Sequence, residues 1–121
     1  MPSEQQHLMQ FLKNKMLIQD NELFSDIDNC GYLDWTVTII FYSALHLLET
    51  KFAKKNAHFL GHKTREQYIA SNFSKEIASK YGLLKMNSQK SRYKCFTFTP
   101  VKVKELREEL NFIEELLKKA N

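Results

Sequence analysis

The sequence predicts an all-α fold, a four- to five-helix up-and-down bundle. Three observations lead there. Only 3 Gly and 2 Pro occur in 121 residues, low for an all-β chain and ordinary for a helical one. Apolar residues recur at helical spacing through long stretches. Several of those stretches open on a capping-box spacing or on a Thr-Pro pair. The length suits one domain, residues 1–121, and is enough to bury a single core without staples.

The first helix is expected to start at Ser3, with Gln6 three residues on as its capping-box partner. Leu8, Leu12 and Met16, then Leu23 and Ile27, form its expected apolar face, and Asp20-Asn21 is a place to kink or split it. Gly31 is expected to end it in the left-handed region. The second helix is expected over 34–55 with Asp34 as its N-cap. One stripe reads Val37, Phe41, Ala44, Leu48 and Phe52, and another Leu33, Ile40 and Leu47. A helix apolar on more than half its circumference belongs at the bundle centre. After a loop over 56–61, Thr64 with Gln67 is expected to start a short third helix running to about Phe73. Ser74 caps the fourth, whose inner side reads Ile77, Tyr81, Leu84, Ser88 and Ser91. The stretch CFTFT at 95–99 reads as an ordered connector, since an isolated strand has nothing to pair with. Thr99-Pro100 opens the last helix, with Val103, Leu106, Leu110, Ile113 and Leu117 inside.

A net charge of +4 and a pI near 9.0 allow a polyanionic partner without requiring one. Cys30 and Cys95 form neither a disulfide framework nor a zinc signature. MPSEQQHLMQ has no basic region followed by an apolar stretch, and the run from Val37 to Leu48 is too short and too polar to span a bilayer. A cytoplasmic protein without membrane contact is therefore expected. No metal site is expected, because the histidines at 7, 46, 58 and 62 show no HxxxH spacing on one helix. No cofactor is expected either, as no Gly-rich phosphate loop, nucleophile elbow or paired-carboxylate pattern is present.

Three groups of residues carry candidate chemistry. Tyr42 and His46, four apart, share a helix face with Glu49, which suits either proton transfer or a histidine bonded within the core to orient two helices. His62 and Arg65 suit a bidentate clamp on phosphate or carboxylate; the alternative is an Arg65 locked to an acidic neighbour such as Asp34. Ser88, Ser91, Arg92 and Tyr93 suit phosphate or base recognition at a helix end, unless Arg92 only neutralises Glu49 or the helix terminus. Only 3 arginines stand against 15 lysines, so an arginine in a polar cluster points to a directed role. These eight, Tyr42, His46, His62, Arg65, Ser88, Ser91, Arg92 and Tyr93, are the candidate ligand or phosphate-binding residues.

FYSALH at 41–46, HKTR at 62–65, and Tyr81-x-x-Leu84 followed by Ser88-x-x-Ser91-Arg92-Tyr93 resemble small bacterial and archaeal HEPN-like proteins, over about residues 30–95. The resemblance implies a helical bundle that is frequently a homodimer and often acts on RNA. Members include toxins, RNA-processing nucleases, defence effectors and non-catalytic partners of small nucleotidyltransferases. HEPN nucleases typically carry an Arg followed by a His after four to six intervening residues. Here Arg65 is followed at those positions by Ala70, Ser71 and Asn72, Arg92 by Thr97, Phe98 and Thr99, and Arg107 by Phe112, Ile113 and Glu114. The expected function is thus a nucleic-acid- or nucleotide-associated accessory domain, in a toxin–antitoxin, defence or nucleotidyltransferase-partner system. The alternatives are a metal-independent ribonuclease with a rearranged Arg/His site and a purely structural dimeric module. Expected partners are a second copy of the chain, RNA or a nucleotide, and a nucleotidyltransferase or other protein.

Overall fold

The computed structural model describes residues 2–55 and 61–119, apart from the side chains of Glu22, Leu23 and His62. The described residues form an all-α helical bundle: α1 (Glu4–Asp20), α2 (Glu22–Ser25), a 3-10 turn (Ile27–Asn29), α3 (Leu33–Lys54), α4 (His62–Asn72), α5 (Lys75–Tyr93) and α6 (Pro100–Lys119). No helix among the described residues is long and apolar enough to cross a membrane.

Helix α3 is the centre. It packs against α1, α5 and α6. Its first expected stripe, Val37, Phe41, Ala44, Leu48 and Phe52, is buried, as are Ile40 and Leu47 of the second, whose Leu33 is only partly buried against the core. It runs antiparallel to α1, because Lys54 pairs with Glu4 while Glu49, one turn earlier, pairs with His7. Helix α6 covers another side of α3 with Val103, Leu106, Leu110, Ile113 and Leu117, all buried. Lys15 to Glu114 ties α1 to α6, and Lys80 to Glu109 ties α5 to α6.

Three helix starts follow their local signals. Ser3 and Gln6 close a reciprocal capping box. Ser74 accepts from the Ile77 N–H, and Thr99 accepts from the Lys102 N–H one residue before the first-turn proline. The chain divides after Asp20, as the Asp20-Asn21 pair suggests. The connector at 95–99 is irregular and buries only Phe98.

Four expectations are corrected. Leu8, Leu12 and Met16 lie on the exposed side of α1, and its core side is His7, Phe11 and Ile18. Both sets repeat at helical spacing; the packing of α1 on α3 buries Phe11 and Ile18 beside a histidine that finds polar partners there. Gly31 does not adopt a positive φ; among the described residues that conformation falls to Cys95, at φ 49°, just past the end of α5. Helix α3 begins at Leu33 behind Tyr32, so Asp34 sits in its first turn rather than at the cap, where its charge still complements the helix dipole. Helix α4 begins at His62 behind Gly61, two residues before Thr64, without a side-chain cap. Of the expected loop over 56–61, residues 56–60 lie outside the described residues, as does His58.

Candidate functional site

Polar side chains collect along one line of α3. Residues 35, 39, 42, 46 and 49 recur at intervals of three and four, so Trp35, Ile39, Tyr42, His46 and Glu49 share a face. None of the five is fully buried. Two groups form on this line, one around Tyr42 and one around Glu49.

The first joins α3 to the end of α5. Arg92 donates from Nη1 to the Tyr42 phenolic oxygen at 2.8 Å and from Nε to the Ser88 carbonyl at 3.3 Å. Its guanidinium packs over the rings of Phe41, Tyr42 and Tyr93, with centroids 5.9, 5.5 and 5.1 Å away. Among the described residues no carboxylate pairs with Arg92, and in particular Glu49 does not. Because the Tyr42 oxygen accepts from Arg92, its own O–H proton remains a second donor beside the guanidinium. The Thr38 and Ser91 hydroxyls meet at 2.8 Å, and each also reaches a main-chain carbonyl, of Asp34 and Ser88 respectively. Ser88 is fully buried, and its hydroxyl has no hydrogen-bond partner among the described residues; its carbonyl is the atom that holds Arg92. Tyr93 is 73% exposed, and Trp35 and Tyr32 are also exposed aromatics at the start of α3. A cleft of about 430 Å³ lies beside Ser91, walled by Leu33, Asp34, Phe96 and Phe98.

The second group joins α1, α3 and α4. Arg65 donates from Nη2 to Glu49 Oε1 at 3.2 Å, and Glu49 Oε2 faces His7 Nε2 at 3.1 Å. His7 Nδ1 then faces His46 Nδ1 at 3.2 Å. The order of partners sets the protons when both rings are neutral. A carboxylate only accepts, so His7 carries its proton on Nε2 and its Nδ1 accepts from the Nδ1–H of His46. The lone pair of His46 is left on Nε2. Burial holds the His46 pKa below its ordinary value of 6.5, against the pull of Glu49 and with the help of nearby His7 and Arg65. The neutral form is therefore the favoured one. Tyr81 lies beside Arg65; burial pushes its hydroxyl up to about 12, against the opposing pull of the guanidinium, so it stays protonated.

The eight candidates therefore divide. Arg92 reaches Tyr42, with Ser88, Ser91 and Tyr93 around it; Arg65 and His46 join Glu49 instead. Arg65 takes Glu49 rather than Asp34 as its carboxylate. The His62 side chain lies outside the described residues. The anchors of the two arginines, Tyr42 and Glu49, are seven residues apart on α3, roughly 10 Å along the helix. His7 lies outside the eight candidates because Leu8, Leu12 and Met16 mark a competing inward face for α1; the register of His7, Phe11 and Ile18 is the signal that finds it. His7, His46 and Glu49 also form the one group among the described residues whose metal-ligand atoms all lie within 4.8 Å of one another.

Neither protein-family models, nor curated proteins, nor solved structures match this chain.

Proposed function

We propose that the face shared by α3 and the end of α5 recognises the phosphate and base of a nucleotide or of single-stranded RNA, as a binding domain in an accessory role. One observation carries this reading. Arg92 is a half-buried guanidinium held in place by Tyr42 and Ser88 without a carboxylate among the described residues. A cation that is positioned and left without a counter-charge is suited to an incoming anion. The exposed Tyr93 ring beside it offers a surface for base stacking. The net charge of +4 favours the approach of a polyanion. The likeness to HEPN-like proteins accords with this reading, and in an accessory role catalysis would belong to a partner such as a nucleotidyltransferase.

Fluorescence anisotropy with a labelled single-stranded RNA and with a labelled ATP analogue tests it. Arg92→Ala is expected to weaken binding at least about tenfold, since a hydrogen bond to a charged group contributes roughly 1.5–3 kcal/mol. The melting temperature should stay close to that of the parent, because Arg92 is half-buried and its loss leaves no carboxylate unpaired. Binding that is absent in the parent, or unchanged in the variant, refutes the proposal. Metal-independent cleavage of RNA in EDTA, abolished by both Arg92→Ala and His46→Ala in folded protein, would instead support a ribonuclease. The lone pair on His46 Nε2 is the group that reading would use as a base.

The same proposal includes a homodimer. Leu8, Leu12 and Met16 form an exposed apolar stripe on α1, with Met9 beside it. Sedimentation velocity at micromolar concentration is expected to show twice the chain mass. Met16→Glu should shift the species to monomer; a parent that sediments as a monomer refutes the dimer.

A further inference from the structure

We propose that His7 and His46 form a binding site for a divalent transition-metal ion of the zinc class, the ion lying between their facing Nδ1 atoms and linking α1 to α3. This is independent of the anion-binding reading, which rests on Arg92.

The spacing of the two nitrogens is the first argument. They lie 3.2 Å apart. With zinc–imidazole bonds of about 2.0–2.1 Å, that separation subtends roughly 100–106° at the ion, close to the tetrahedral angle of about 109°. The ring centroids stand 5.5 Å apart, so the two lone-pair axes lie close to the line joining the nitrogens, and each ring turns by roughly 40° to aim at the ion. The proton now shared between the rings moves to Nε2 of His46, so both imidazoles ligate in their neutral form.

The second argument is the carboxylate behind His7. Zinc-bound histidines almost always donate their other ring N–H to a carboxylate, carbonyl or water, which fixes the tautomer and orients the ring. Glu49 Oε2 stands 3.1 Å from His7 Nε2, and its other oxygen is held by Arg65. Arg65 makes Glu49 a poorer direct ligand and a better-anchored orienting group. A Glu49 carboxylate oxygen lies within 4.8 Å of one ring nitrogen of each histidine. Water would complete the coordination. Access exists, because His46 is only half-buried and the Glu49 side chain is 18% exposed. Borderline nitrogen donors favour zinc, cobalt, nickel or copper over magnesium or calcium. The expectation of no metal rested on spacing within one helix, whereas these two histidines are 39 residues apart in sequence and meet across two helices.

The test uses untagged full-length protein freed of metal with EDTA, then dialysed. Zinc titration by calorimetry is expected to show one saturable site per chain and to raise the melting temperature. Magnesium at the same concentration should do neither. His7→Gln and His46→Gln should each lower zinc affinity at least tenfold, and Glu49→Gln by about 10–100-fold, the usual range for an orienting partner. Should these variants unfold, the parent still decides the question. Zinc absorption-edge spectroscopy should find two imidazole nitrogens at about 2.0–2.1 Å, and nitrogen NMR should place the ion on Nδ1 of both rings. Zinc binding that survives His7→Gln with His46→Gln, sulfur ligation, ligation through Nε2, or no saturable binding by the parent overturns the site.

Discussion

Glu49→Ala is expected to lower the free energy of unfolding by about 3 kcal/mol, the lower end of the range for removing one partner of a buried ion pair. The carboxylate stands between Arg65 and His7, and both of those are buried. Its own 18% exposure is what keeps the figure at the lower end. At roughly 4 °C per kcal/mol for a domain of this size, the melting temperature should fall by about 12 °C. The loss comes mostly from desolvated groups whose acceptor is gone, rather than from the attraction itself. Arg65→Met in the Glu49→Ala background should therefore recover part of it, and a double-mutant cycle by urea denaturation measures that coupling. A loss below about 1 kcal/mol would show that water or other side chains replace the carboxylate. Arg92→Ala, at the other polar group on the same helix, should leave stability near the parent value. That contrast separates a network that ties three helices together from a cation held for a ligand.

Phe41→Ala is expected to cost still more, about 3–5 kcal/mol, the range for removing a buried phenyl ring and leaving a cavity. Phe41 is fully buried at the middle of α3 and packs against Tyr42 and Tyr81, with ring centroids 5.3 and 5.6 Å away. The drop in melting temperature should be about 12–20 °C. The substitution also acts on the site. The Arg92 guanidinium lies over the Phe41 ring, so the folded fraction of Phe41→Ala should bind RNA or nucleotide more weakly than the parent at low temperature. Phe41→Leu keeps most of the volume but not the aromatic face. It should recover most of the stability and little of the binding, with both readouts taken at the same temperature. Full recovery of binding by leucine would show that the ring supports Arg92 only by filling space.

Much of the bundle was legible in the chain. The caps at Ser3, Ser74 and Thr99 are local, because each side chain reaches a backbone N–H three residues ahead. The inner stripes of α3 and α6 were legible because one face is so heavily apolar that no other register buries it. The polar row Tyr42, His46 and Glu49 was legible for the same reason, as polar groups at helical spacing on an apolar helix. The inward face of α1 was not. Leu8, Leu12 and Met16 compete with His7, Phe11 and Ile18, both sets at helical spacing, and only the packing against α3 decides between them.

By itself, then, the sequence determined the class of fold, the central helix and the list of polar residues on it, because helix periodicity and capping act within a few residues of one another. The tertiary structure alone decided the partners. Arg65 goes to Glu49 and Arg92 to Tyr42, and His7 comes from the opposite end of the chain to face His46. Those pairings depend on how helices far apart in sequence are aligned and rotated against one another. Residue spacing along a single helix carries no record of that, so a pair of histidines 39 residues apart becomes a candidate metal site only once α1 lies against α3.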